Sequence, residues 1–228
     1  MISSKNKNNF FSLLKSDIGK KNINEKFGIN SSWKWHNDPK QFFISLSRYK
    51  FVSKILKGKS NVLEIGCSDG FNSRIVRQTV KNLDACDIDL NLIRSAQRIK
   101  SSKWDINFFC HNFLKKKLDK KKYDAIYFLD VLEHISTKNE IIFLKNIISS
   151  LKKSGSLIIG IPSLEFQKYS RPKKISGHIN CKTAEKLEIL CKNYFDSVII
   201  MSMNDELVHT GFEKMSCYFF AICSNPKE

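Results

Sequence analysis

The run Val62-Leu63-Glu64-Ile65-Gly66-Cys67-Ser68-Asp69-Gly70 leads from an apolar strand straight into a turn bracketed by glycines, and a second short apolar segment closes at Asp87 and Asp89. This pairing constrains the fold more than any other feature of the chain. A turn with glycine at both ends lets backbone N–H groups approach a ligand, and a carboxylate at the tip of the neighbouring strand accepts hydrogen bonds from sugar hydroxyls. Taken singly, Gly66 and Gly70 also read as a tight strand-to-helix turn, and Asp87 as a helix cap. Two adjoining strand ends with complementary chemistry point instead to an α/β sheet that grips a nucleoside.

The rest of the pattern alternates. Strands are expected at Asn61–Ile65, Asn82–Ile88, Ile106–Cys110, Tyr123–Leu129, Ser156–Ile161, Ser197–Ser202 and Cys217–Cys223. Asp38-Pro39 is a helix start, followed by Phe42, Leu46, Tyr49, Val52, Ile55 and Leu56 at helical spacing until Gly58. Further helices are expected around Ile75 to Val80, from Asn91 to Lys100 and from Thr183 to Asn193. Thr137 and Glu140 read as a capping box opening a helix that runs to about Leu151, with Lys152, Lys153 and Gly155 closing it. Such alternation requires a mostly parallel sheet, so the strand-to-helix loops share one edge. That edge collects residues 66–70, 87–89, 110–113, 130–136, 162–182 and, if strand six is parallel, 203–216.

With 228 residues and 42% apolar content, the chain suffices for one full core, and a second domain is neither required nor excluded. Residues 1–37 are read as an N-terminal extension and 38–228 as the globular domain. The extension carries only the islands Phe10, Phe11, Leu13 and Leu14, unlike a secretion signal. No run reaches the roughly 20 apolar residues of a membrane span, so a cytoplasmic protein is expected. Seven cysteines without a Cys-x-x-Cys pair argue against both a disulfide framework and a zinc clip. The net charge of +17 is mostly lysine, with runs at 115–117 and 120–122. A solvated lysine-rich surface is favoured over a nucleic-acid patch, because readers of nucleic acid favour the forked guanidinium; attraction of an anionic small substrate lies between the two.

The order and content of these segments resemble the class I S-adenosylmethionine-dependent methyltransferases, over roughly residues 40–223. Glu64-x-Gly66-x-Ser68-x-Gly70 resembles the family's first motif, with Ser68 in place of a middle glycine. The resemblance implies an α/β, Rossmann-like three-layer sandwich: a mostly parallel seven-stranded sheet with a C-terminal antiparallel strand, plus an N-terminal helical extension. It implies S-adenosylmethionine as cofactor, with Asp87 and Ile88 at the ribose and Asn112 and Phe113 at the adenine. Cys67 belongs to the first turn. Asp130 and Val131 would border the sulfonium, and Arg48 would meet the cofactor carboxylate, although an exposed helix arginine fits Arg48 as well. An NAD-dependent reductase is the rival for the first turn alone, and its Gly-x-Gly-x-x-Gly spacing fits poorly.

Methyl transfer needs an aligned acceptor and, for a hydroxyl, a base. His178, in Ser176-Gly177-His178-Ile179-Asn180, is the first candidate base. Asp205, Glu206 and His209 form a second set, either an acceptor-pocket wall or a solvated hairpin. Trp33, Trp35 and His36 sit where relatives carry a lid, or they pack on the core. Asp130, Glu133, His134 and His178 resemble the metal-binding set of small-RNA 2′-O-methyltransferases and of some quinone-pathway O-methyltransferases, but Val-Leu-Glu-His also occurs without metal, and no metal is expected. The reading is O-methylation of a small polar metabolite or a sugar or glycan precursor. The alternatives are an RNA methyltransferase using the basic surface, with a metal, and a non-catalytic nucleoside-binding protein.

Overall fold

A computed structural model describes residues 26–119, 122–169 and 177–227. The apolar islands Phe10 to Leu14, Lys120, Lys121, Arg171 and Ser176 lie outside the described residues. Strands β1 (Asn61–Ile65), β2 (Asn82–Asp87), β3 (Asn107–Cys110), β4 (Tyr123–Leu129) and β5 (Leu151–Pro162) run parallel. They are followed by β6 (Phe195–Asn204), β7 (Leu207–His209) and β8 (Tyr218–Pro226). The sheet order is β3-β2-β1-β4-β5-β8-β6-β7. The C-terminal strand β8 enters antiparallel between β5 and β6, pairing Pro162 with Tyr218 and Met203 with Tyr218. Strand six therefore points the same way as β1 to β5. The expected seven strands are present, and β7 adds an eighth as a short hairpin arm on β6.

Helices α1 (Ile29–Asn37), α2 (Pro39–Ile55), α3 (Ser73–Arg77), α4 (Leu90–Arg98), α5 (Thr137–Ile148) and α6 (Ala184–Lys192) make the two outer layers. Alternation along β4 shows why both faces are dry. Ile126 and Phe128 face Phe143, Leu144 and Leu187 of α5 and α6. Ala125 and Tyr127 face Tyr49, Val52 and Val76 of α2 and α3. Three helix starts follow from their side chains: Asp38, Asp89 and Thr183 accept from the backbone N–H of Gln41, Asn91 and Lys186 at 3.1, 2.7 and 3.1 Å.

Two expectations fail around α5. The capping box does not form: Ser136 occupies the cap position, and the side chain of Glu140 turns inward to accept from Lys182 Nζ and Asn180 Nδ2, each at 2.7 Å. The helix ends at Ile148, and Lys152, Lys153 and Gly155 belong to β5, whose first residue Leu151 pairs with Tyr123. Lys152 contributes to a pair rather than a helix terminus, reaching Asp124 at 2.7 Å. Among the described residues, no helix is long and apolar enough to cross a membrane.

Candidate active site

Where β1, β2 and β4 end, a cavity of about 470 Å³ opens beneath α1. Its floor is the turn after β1. Gly66 has φ +77°, and a Cβ there would lie 2.4 Å from Val131 Cγ2, so only glycine lets the two loops meet. Ser68 keeps φ +53°, a conformation that costs a non-glycine residue about 1 kcal/mol. It is held from both sides: its N–H donates to Asp87 Oδ2 at 2.8 Å, and its Oγ accepts from Asn30 Nδ2 at 2.8 Å.

Asp87 is thus brought to the turn, as the strand-end argument requires. Its other oxygen accepts from the N–H of Asp89 at 2.9 Å. Each oxygen retains a lone pair toward the cavity, enough for two sugar hydroxyls. Ile88, Asn112 and Phe113 form the adjoining wall, with Asn112 Oδ1 accepting from the Leu114 N–H at 2.9 Å. His111, which sequence reasoning missed, lies buried in that wall with Nε2 3.0 Å from the Lys116 carbonyl.

Three expected cofactor residues stand back from the cavity. Glu64 is buried below the turn, accepting from the hydroxyls of Tyr49 and Tyr127 at 2.7 and 2.8 Å, and burial raises its pKa. Gly70 serves packing: a Cβ there would come within 2.4 Å of Phe108 and 3.1 Å of Ala96. Arg48 does not line the cavity and is paired within the fold. Its Nη1 lies 2.8 Å from both oxygens of Asp130, and its guanidinium sits 3.9 Å from the Tyr218 ring centroid. A charge on a nearly buried helix face finds the nearest carboxylate before it finds the ligand.

Helix α1 lies in the segment expected to be an extension or a lid, and Asn30, Ser31 and Lys34 on it line the cavity. Asp69 accepts from the N–H and Oγ of Ser31 at 2.7 and 2.9 Å, with both residues buried. Gly28 lies so close to Asp69 that a Cβ would stand 2.4 Å from its Cγ. Trp33 and Trp35 are more than half exposed; Trp35 stacks on Phe27 at 6.2 Å.

Asp130, Val131 and His134 line the opposite end. His134 Nδ1 lies 2.8 Å from the Gly177 carbonyl, which can only accept, so Nδ1 carries a proton, and Nε2 lies 4.0 Å from Glu133 Oε1. His178 packs edge-on to it, ring centroids 5.1 Å apart, with Nδ1 3.4 Å from Gln167 Oε1. Burial, then the neighbouring His134, lower the His178 pKa. Glu133 is fully buried, and neither carboxylate oxygen has a hydrogen-bond partner. Burial, then the charge of Asp130, push its pKa up to about 9. Glu133, His134 and His178 offer ligand atoms within 4.8 Å of one another. Asp130, the fourth member of the metal alternative, is bound to Arg48 instead.

Glu206 and His209 lie elsewhere. Glu206 and Asp205 line a separate shallow cavity against Pro39, Lys40 and Phe43. His209 has both ring nitrogens engaged, Nε2 with Asn204 Oδ1 at 3.0 Å and Nδ1 accepting from the Gly211 N–H at 2.9 Å. Two strands, β8 and β6, separate β7 from β5 in the sheet, and Val208 and His209 are half-buried.

A parallel sheet with a nucleoside-sized cavity at its β1–β2 edge defines a class, that of the Rossmann-like nucleoside-binding α/β enzymes. The chain belongs to the methyltransferase-domain family, which residues 35–194 match. It carries a class I S-adenosylmethionine-dependent methyltransferase domain, as the motif order implied. The chain is 26% identical over 129 residues to the ubiquinone biosynthesis O-methyltransferase of Coxiella burnetii (strain Dugway 5J108-111), covering 55% of this chain and 54% of that one. It thus spans about half the length of the curated relatives it matches. Its fold is similar to the N-methyltransferase NodS from Bradyrhizobium japonicum WM9, solved with S-adenosyl-L-homocysteine, at TM-score 0.62 and 20% identity, covering 86% of this chain and 92% of that one. The plantazolicin methyltransferase BpumL, also solved with that ligand, gives TM-score 0.64 and 16% identity, covering 92% and 93%.

Proposed function

We propose that the protein transfers the methyl group of S-adenosylmethionine to a hydroxyl oxygen of a small acceptor. One observation carries the reading: Asp87, with lone pairs free, is fixed by Ser68 and Asp89 against the turn that would support the methionine part. In this arrangement Asp87 holds the ribose, Ile88, Asn112 and Phe113 bound the adenine, and Gly66, Cys67 and Ser68 lie along the tail. Displacement at the sulfonium methyl is in-line, so the chain's task is to align the acceptor and remove its proton.

Oxygen is favoured over nitrogen because a candidate base, the His178 imidazole, stands at the acceptor end. His178 is the proposed base; its lowered pKa keeps the ring unprotonated near neutrality. The resemblance to an O-methyltransferase of ubiquinone biosynthesis agrees with this preference. The acceptor is expected to be a polar metabolite or a sugar-linked precursor, and the nearby exposed Phe166, Tyr169 and Ile179 would favour one with an apolar surface beside its hydroxyl.

S-adenosylhomocysteine should raise the melting temperature of the intact chain, and Asp87→Ala should remove that rise. No rise for the intact chain would sink the reading. With a hydroxyl acceptor in hand, His178→Ala should lower kcat by about 10²- to 10⁴-fold; unchanged turnover would strike His178 from the mechanism.

A second reading rests on the buried Glu133 carboxylate, which has no hydrogen-bond partner among the described residues. With His134 and His178 it fits a divalent cation by donor type, and such an ion would lower the pKa of a bound hydroxyl. Activity lost to a chelator and restored by a divalent ion would select it.

A further inference from the structure

The proposed cofactor carries a carboxylate on its methionine tail, and Arg48, the residue expected to meet it, is committed to Asp130. The cavity is otherwise acidic on its inner side: Asp69, Asp87 and Asp130 all line it. Among the described residues that line it there is a single lysine and no arginine, and that lysine is Lys34 on α1.

The position of Lys34 follows from helix geometry. Side chains three and four residues apart share a helix face. Asn30 and Ser31 both point down onto the turn after β1, through Ser68 Oγ at 2.8 Å and Asp69 at 2.7 and 2.9 Å. Lys34, four and three residues beyond them, therefore lies on the same helix face about one helical turn further along, where it lines the cavity. The helix is fastened at its start by the Ile29 N–H donating to Ser95 Oγ at 3.1 Å and by the close approach of Gly28 to Asp69. The Lys34 ammonium has no ion-pair partner among the described residues.

We infer that Lys34 is the counter-charge for the methionine carboxylate of the cofactor, so that α1 forms one wall of the cofactor site. This assignment rests on the S-adenosylmethionine reading above. Asp87 then holds one end of the ligand and Lys34 the other, with the Gly66–Gly70 turn between. A carboxylate in a partly closed cavity needs such a partner, since charge-assisted bonds are about twice as strong there as neutral ones.

The test compares two ligands that differ in the tail, S-adenosylhomocysteine and 5′-methylthioadenosine, by calorimetric titration of the full chain. Lys34→Met should weaken S-adenosylhomocysteine about tenfold and leave 5′-methylthioadenosine unchanged, because the latter has no carboxylate; Lys34→Arg should retain most of the affinity. Asp87→Ala should weaken both ligands. Unaltered or tighter binding of S-adenosylhomocysteine to Lys34→Met would overturn the inference while leaving the cofactor reading standing. Equal loss for both ligands would also overturn it, by showing that Lys34 acts through the fold of α1. Wild-type protein binding neither ligand would remove the cofactor reading, and this inference with it.

Discussion

Asp130 and Arg48 depend on each other unequally. The arginine side chain is 12% exposed and its Nε lacks a partner, whereas Asp130 is 37% exposed. Removing Asp130 strands a buried charge, so Asp130→Ala should cost about 3–5 kcal/mol in urea unfolding without ligand. Arg48→Met leaves a carboxylate that water reaches and should cost about 1 kcal/mol. Equal losses would contradict this account. Asp124 gives the pH counterpart. Hydrogen bonds from Lys152 and then the Asn61 N–H outweigh burial and lower its pKa in the fold. Stability from Asp124 is therefore present above its unfolded pKa of about 3.9 and lost as the pH falls through the lower folded value. Asp124→Asn should flatten the acid limb of the stability profile, measured by urea midpoints across pH. At this scale Asp87 was legible because a strand end fixes where its side chain points. Arg48 was not, because only packing reveals that Asp130 reaches it first.

Elements were legible where periodicity and caps agreed, as at Asp38 and Thr183, whereas the cap of α4 is Asp89 and not Asp87. The end of α5 was misread for a definite reason. Lys152, Lys153 and Gly155 have the composition of a helix terminus, but Leu151 finds a strand partner in Tyr123, and sheet pairing overrides the local signal. Gly155 and Gly160 consequently lie in a strand. A Cβ on Gly160 would fall 2.4 Å from Tyr218 Oη and 2.5 Å from Leu129 Cδ2, so Gly160→Ala should lower stability by about 1–3 kcal/mol in denaturant titration. Helix α1 offers a different outcome. Gly28→Ala would push its start from Asp69 and break the Ser31 bonds. Limited proteolysis should then cut within residues 28–37 faster than in the wild type, while the urea midpoint of the domain stays nearly the same. A midpoint that fell steeply would show that α1 supports the core rather than roofing the cavity.

The whole molecule carries a formal charge of +17, most of it lysine. Self-repulsion of that size destabilises the compact state and is screened by salt. The melting temperature should therefore rise between 20 and 500 mM sodium chloride, two concentrations between which the screening length falls roughly fivefold. A fall would show that exposed ion pairs such as Lys192–Glu188, rather than repulsion, dominate the salt response.

The order of strands and helices, the parallel sheet, the turn at Gly66–Gly70 and the approach of Asp87 to it were determined by the sequence alone. Each depends on periodicity or on chemistry confined to a few neighbouring residues, which a linear reading sees. Which charges reach the cavity was decided only by tertiary structure. Arg48 and Asp130 are 82 positions apart, and Asn30 and Ser31 meet the turn across a gap that no local pattern spans. Hydrogen bonds and ion pairs act over a few ångströms in space, whatever the separation along the chain, so the roof of the site and the placement of His209 away from it emerge only once the sheet has closed.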